Sequence, residues 1–129
     1  MATATLQARG LMPTLTVNDL KKSIEFYKGL GFKATDEMEE NGELRGVTLE
    51  AGGVHLGLSQ DDFAKGRNRT KGVGMRFYLE TDQDITALAR QAKAAGVTLD
   101  SEPAKLPWGP MGFTVTDHDG FKLTISNPE

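Results

Sequence analysis

The stretch Asp19-Leu20-Lys21-Lys22-Ser23-Ile24-Glu25-Phe26-Tyr27, ending at Leu30-Gly31-Phe32, is echoed 65 residues further on. Leu20, Ile24, Tyr27 and Leu30 form one helical stripe behind an Asp19 cap, and Gly31 stops the helix. Ile85, Ala89, Ala92 and Ala95 repeat that stripe behind Asp84, with Gly96 as the stop. A second echo aligns Gly53-Val54-His55-Leu56-Gly57-Leu58-Ser59 with Gly120-Phe121-Lys122-Leu123-Thr124-Ile125-Ser126 at an offset of 67. Two matches in one order at nearly equal offsets predict a duplicated βαβββ unit. Either unit alone is too short to bury much core, so the two must pack together. The expected class is α+β: two tandem βαβββ modules forming a cupped mixed sheet with helices outside. Strands are expected near 11–17, 32–38, 44–51 and 54–59, then near 73–81, 97–102, 111–116 and 121–126. An N-terminal extension (1–10) precedes the first module (11–60). The polar linker 61–71 leads to the second module (72–129), and all of it reads as one domain.

Composition narrows the function. Fifteen Lys+Arg against eighteen Asp+Glu give a net charge of −3, which offers no basic stripe for nucleic acid. With no cysteine, disulfides, thiolate metal sites and cysteine nucleophiles are excluded. No apolar run reaches the roughly 18 residues of a membrane span, and MATATLQARG lacks the apolar stretch of a signal peptide. A cytoplasmic location is the expectation left by elimination. Neither a phosphate-cradling glycine motif nor a nucleophile elbow is present, because Gly72-Val73-Gly74 is short and opens a strand.

Strand alternation assigns faces. In 11–17, Leu11, Pro13, Leu15 and Val17 suit the helix side and leave Met12, Thr14 and Thr16. In 54–59, Val54, Leu56 and Leu58 leave His55, Gly57 and Ser59. In 73–80, Val73, Met75, Phe77 and Leu79 leave Gly74, Arg76, Tyr78 and Glu80. In 121–126 the remainder is Lys122, Thr124 and Ser126, and in 44–50 it is Thr48 and Glu50. These second faces are small and polar with a few charges. They suit a ligand crevice, or a wet surface or dimer contact.

The duplication, with Val17-Asn18-Asp19-Leu20 through Phe26-Tyr27 early and Asp117-His118-Asp119-Gly120-Phe121-Lys122-Leu123 late, resembles the vicinal oxygen chelate superfamily. That superfamily includes glyoxalase I, bleomycin-resistance proteins, fosfomycin-resistance enzymes and extradiol dioxygenases. The resemblance covers about residues 11–127 and implies paired modules cupped around a site. In metal-dependent members, His and Glu from four strands hold a divalent cation. Carried over, those positions fall on Met12, Gly57, Arg76 and Thr124. Glycine has no donor, arginine is a fixed cation, methionine is soft, and threonine alone is weak. The resemblance therefore implies a metal-free crevice of the bleomycin-resistance kind, with no cofactor.

Arg76 is the main candidate, an anchor for a carboxylate, phosphate or enolate; a salt bridge to Glu80 or Glu50 is the alternative. Tyr78, Thr124, Thr14 and His55 can supply hydrogen bonds, and His55 beside Glu50 is a weak candidate general base. Trp108, the only tryptophan, lies in Leu106-Pro107-Trp108-Gly109-Pro110-Met111. This stretch resembles a loop that stacks an aromatic on a planar ligand in bleomycin-resistance-like proteins; packing over the module interface is the alternative. Phe63 is a second wall or a loop pin. Asp36-Glu37-Met38-Glu39-Glu40 reads as a solvated hairpin end, and His118 as an exposed turn residue. The expected ligand set is Met12, Thr14, Glu50, His55, Gly57, Arg76, Tyr78, Trp108 and Thr124. The expected function is small-molecule binding, with sequestration, in a homodimer. A lyase, isomerase or glyoxalase-like enzyme with a degenerate metal site is the alternative, and a non-catalytic accessory domain is a third reading.

Overall fold

A computed structural model describes residues 4–129. The expected 1–10 extension thus lies partly outside the described residues; residues 4–10 are exposed and outside regular structure.

The first module runs β1 (Thr14–Val17), α1 (Leu20–Leu30), β2 (Lys33–Glu40), β3 (Glu43–Ala51) and β4 (Val54–Gln60). The second runs β5 (Arg76–Glu80), α2 (Ile85–Ala94), β6 (Leu99–Lys105), β7 (Met111–Thr116) and β8 (Lys122–Ser126). The helices start and stop where their chemistry demands. The Asp19 carboxylate accepts from Lys22 N–H, and Asp84 accepts from Ala87 N–H, each satisfying an orphan donor of the first turn. Gly31 takes φ 111° and lets its N–H reach back to the carbonyls that end α1.

Each module forms a four-stranded mixed sheet, in the orders β1-β4-β3-β2 and β5-β8-β7-β6. β1 runs parallel to β4 and β5 parallel to β8, while the other neighbours are antiparallel. The fold is the α+β pair of βαβββ modules expected, with its strands divided between two hydrogen-bonded sheets. β1 and β5 are shorter than the 11–17 and 73–81 predicted. Pro13 has no N–H to donate, so the ladder ends at its carbonyl, which accepts from Gly57 N–H at 2.8 Å, and the left-handed Gly72 and Gly74 backbones end the lead-in to β5.

One core joins the halves. Leu15, Val17, Leu49 and Leu58 pack on Leu20, Ile24 and Tyr27; Phe113, Val115 and Leu123 pack beneath Ile85, Ala89 and Ala92. The helices meet where Gly29 lets α1 approach the turn after α2; a Cβ there would sit 2.8 Å from Val97 Cγ2. A polar seam reinforces the joint. Tyr27 Oη donates to Asp117 Oδ2 at 2.7 Å, and Asp119 Oδ1 accepts from Asn18 N–H at 2.9 Å. Lys71, from the polar linker, donates to Asn18 and is paired with Asp61 at 2.8 Å.

Candidate functional site

The face of each sheet turned away from the helices carries the small polar residues. Thr14, Gly57, Thr48 and Asp36 lie in one cross-strand row of the first sheet. Tyr78, Thr124, Thr114 and Ser101 make the corresponding row of the second. The matching registers equate Thr14 with Tyr78 and Gly57 with Thr124. Two residues earlier, Met12 equates with Arg76 and His55 with Lys122.

A cavity of ≈480 Å³ runs between the modules, lined by Leu11, Pro13, Val54, His55, Arg76 and Tyr78, among others. Three expected ligand-binding residues thus meet: His55, Arg76 and Tyr78. Trp108 joins them through Tyr78, its ring edge-on at 5.9 Å between centroids. Both aromatics are open to approach, Tyr78 59% and Trp108 46% exposed. Thr14 and Gly57 stand together on the first sheet, and Thr124 sits beside Tyr78 in register, but these three do not line the cavity. Met12 precedes β1 and is half exposed. Glu50 is directly cross-strand from His55, yet the two form no ion pair among the described residues. Arg76 likewise has no ion pair there, so the salt-bridge alternative to Glu80 or Glu50 is not formed.

The four positions to which the resemblance gives a metal do not fit one. A Cβ on Gly57 would lie 2.7 Å from Thr14 Oγ1, so the threonine side chain fills the space a donor would need. Arg76, the one of the four that lines the cavity, is a fixed positive charge that would repel a metal. Among the described residues, no three His, Asp or Glu side chains gather as a metal cage.

Other candidates settle elsewhere. Phe63 carries the Arg67 guanidinium 4.5 Å above its ring and pins the linker loop, away from this cavity. His118 is exposed in the β7–β8 turn, its ring edge-on to Phe26. The acidic run occupies exposed β2, which closes on β3 through the left-handed pair Asn41-Gly42. The titration shifts fall on the seam. Burial pushes the Asp117 carboxyl above its ordinary value, against the hydrogen bonds from Tyr27, Phe121 and Asp119. Burial, then the charge of Asp117, pushes the Tyr27 phenol far above its own. Lys71 and the Phe63 N–H hold Asp61 below the usual carboxylate value.

Sequence reasoning passed over three residues. Leu11 and Pro13 form a wall from the chain before β1, although alternation turned them toward the helices. Lys122 was placed on the polar face, but its position directly beside Arg76 required the parallel β5–β8 register.

The chain belongs to the Glyoxalase/Bleomycin resistance protein/Dioxygenase superfamily, whose family model matches residues 11–125. No curated protein matches it. Among solved structures it is similar to TioX from Micromonospora sp. ML1, at 16% identity and TM-score 0.74, covering 93% of this chain and 98% of that one. A superfamily member from Sphaerobacter thermophilus shares 24% identity at TM-score 0.69, covering 95% and 98%. A bleomycin-binding protein solved in complex with bleomycin shares 24% identity at TM-score 0.64, covering 97% and 100%. At these identities the likeness establishes the fold.

Proposed function

We propose that the protein binds a small planar organic molecule over Tyr78 and Trp108, and sequesters it without metal chemistry. The observation that carries this reading is the aromatic pair at the mouth of a cavity reached by Arg76 and His55. Aromatic walls with a few polar groups are the usual makeup of a small-molecule site. The bleomycin-binding neighbour, solved with its ligand, supports the same use of the fold. The donor chemistry at Met12, Gly57, Arg76 and Thr124 supports a metal-independent site.

A homodimer completes the crevice in this proposal. The polar faces are open in the single chain, and Met12, Val54, Met75, Tyr78, Trp108 and Met111 are all exposed large side chains. A second copy laid over them removes apolar surface from water. We place this binder in the cytoplasm, where small molecules would be sequestered; among the described residues, no helix is long and apolar enough to cross a membrane.

The test is Trp108 fluorescence during titration with planar aromatic compounds. Binding alters the emission, and Trp108→Phe abolishes the signal while calorimetry still detects affinity. No response from any planar compound, by either method, overturns the reading. The register position of Glu50 directly across from His55 favours one second reading, proton abstraction by His55. Its sign is turnover of a bound carbon acid that His55→Gln abolishes with affinity retained.

A further inference from the structure

We propose that Arg76 and Lys122 form an anion subsite at the head of the crevice, so that the ligand is an aromatic anion bearing a carboxylate or phosphate. This rests on the small-molecule reading above and specifies its ligand class.

Arg76 and Lys122 are directly opposed on the parallel strands β5 and β8, on the same face, and both are exposed. Like charges in register repel. Among the described residues neither forms an ion pair. Along that row the next residue is Thr116, opposite Lys122, and Thr116 donates to Asp100 on β6. Glu80 lies four residues along β5, about 13 Å away by strand rise. Asp100 ends this row and Glu80 shares the larger cavity with Arg76, but neither carboxylate comes within ion-pairing distance of the two cations.

The fold does not require this charge. The corresponding positions of the first module are Met12 and His55, neither a fixed cation, and that module builds the same sheet. A pair of cations added to one copy of a repeated scaffold, with no structural partner, is suited to a ligand's charge.

The surroundings suit an anion as well. A notch of ≈380 Å³ is bounded by the loop 71–75, Arg76, Gly120 and Lys122. Gly72 and Gly74 leave it free of side chains at two positions, and the Gly72 backbone lies flat on the β7–β8 turn. The third cation nearby, Lys71, has a side chain 5% exposed and already held by Asp61 and Asn18. The free charge of the notch therefore comes from Arg76 and Lys122. Arg76 also lines the larger cavity beside Tyr78. The two side chains stem from positions roughly 7 Å apart on β5, the reach of a small ring and its acid group. A guanidinium can take such a group through two parallel hydrogen bonds, with the lysine as a second point charge.

The test uses four probes on the full chain: 2-naphthoate, 2-naphthyl phosphate, neutral 2-naphthamide and inorganic phosphate. Affinities are read by Trp108 fluorescence and calorimetry. At least one aromatic anion binds about tenfold or more tightly than naphthamide, and raising ionic strength narrows the gap. Whichever anion is preferred, carboxylate or phosphate, identifies the acid group. Arg76→Gln and Lys122→Gln each lose several-fold in anion affinity, and the double variant binds anion and amide alike. Inorganic phosphate competes only weakly, since it lacks the ring; competition equal to the aromatic anions overturns the aromatic half of the proposal. In the absence of ligand, each single variant melts at a higher temperature than the wild type, because the opposed charges are gone. A lower melting temperature would make the pair structural and overturn the proposal. Equal binding of naphthoate, naphthyl phosphate and naphthamide sinks the anion subsite and leaves the crevice standing. Silence from all three naphthyl probes overturns both.

Discussion

Tyr27 and Asp117 are 90 residues apart, and their 2.7 Å hydrogen bond ties helix α1 to the β7–β8 turn. Asp117 also accepts from the Asp119 and Phe121 N–H groups, so its carboxylate organises the turn from inside. The Tyr27→Phe substitution leaves that buried carboxylate one donor short, at a cost of about 1.5–3 kcal/mol. The sign with pH follows from the raised Asp117 value. A buried carboxyl with a raised value binds a proton more readily folded than unfolded, so its penalty is present above the folded value. The penalty fades as pH falls through the folded value toward the ordinary 3.8 of the unfolded chain. Denaturant unfolding should thus show the Tyr27→Phe loss largest near neutral pH and shrinking in acid, where the protonated carboxyl no longer needs the phenol. A loss independent of pH would assign the cost to packing. None of this was legible in the sequence. A tyrosine on a helical stripe and an aspartate in an Asp-His-Asp-Gly turn give no sign of meeting across two modules. The buried role of Lys71 was hidden in the same way inside a polar linker.

Elements were far more readable than contacts. Asp19, Gly31 and Asp84 fix the helix ends locally, and alternation finds the helix-facing side within the paired strands, although Leu11, Val54, Val73 and Met75, expected on that side, are exposed at the strand starts. The duplication predicted that the two halves share one plan, and the paired registers of β1/β4 and β5/β8 match position for position. What alternation could not supply was the point at which a parallel edge strand loses its partner. Leu11 and residues 73–75 continue an apolar period without continuing a ladder, and with Pro13 they become walls of the cavity and notch. The same limit hid the Arg76–Lys122 opposition. The helix pair makes its own prediction. Alanine at Gly29 would gain about 1 kcal/mol of helix propensity, but its methyl would press on Val97 and Ala95. Thermal melts should show Gly29→Ala destabilised despite that gain, and Val97→Ala in the same chain should recover part of the loss. A double-mutant cycle with no coupling between the two sites would mean that α1 has shifted freely.

At the scale of the whole molecule, the two sheets share a core but not a ladder, which leaves β1 and β5 as free edges beside the exposed apolar residues. Sedimentation of the purified protein should give twice the mass of one chain. Val54→Asp and Met75→Asp should shift it to a single chain and weaken ligand binding together, because the crevice loses its second wall. A monomeric wild type with an intact binding signal would confine the site to one chain.

The residues that hold this protein together and those of its polar sheet faces are interleaved on the same strands, yet they answer to different constraints. Leu15, Leu58 and Leu123 are buried, whereas Thr14 and Tyr78 alternate with them on the opposite face and are exposed, with Thr124 half-buried beside Tyr78. The outward positions can therefore be rewritten as a set while the chain goes on folding. A library randomised at those places alone should yield well-folded variants with new ligand preferences, which makes this architecture a natural stock from which binding proteins can be drawn.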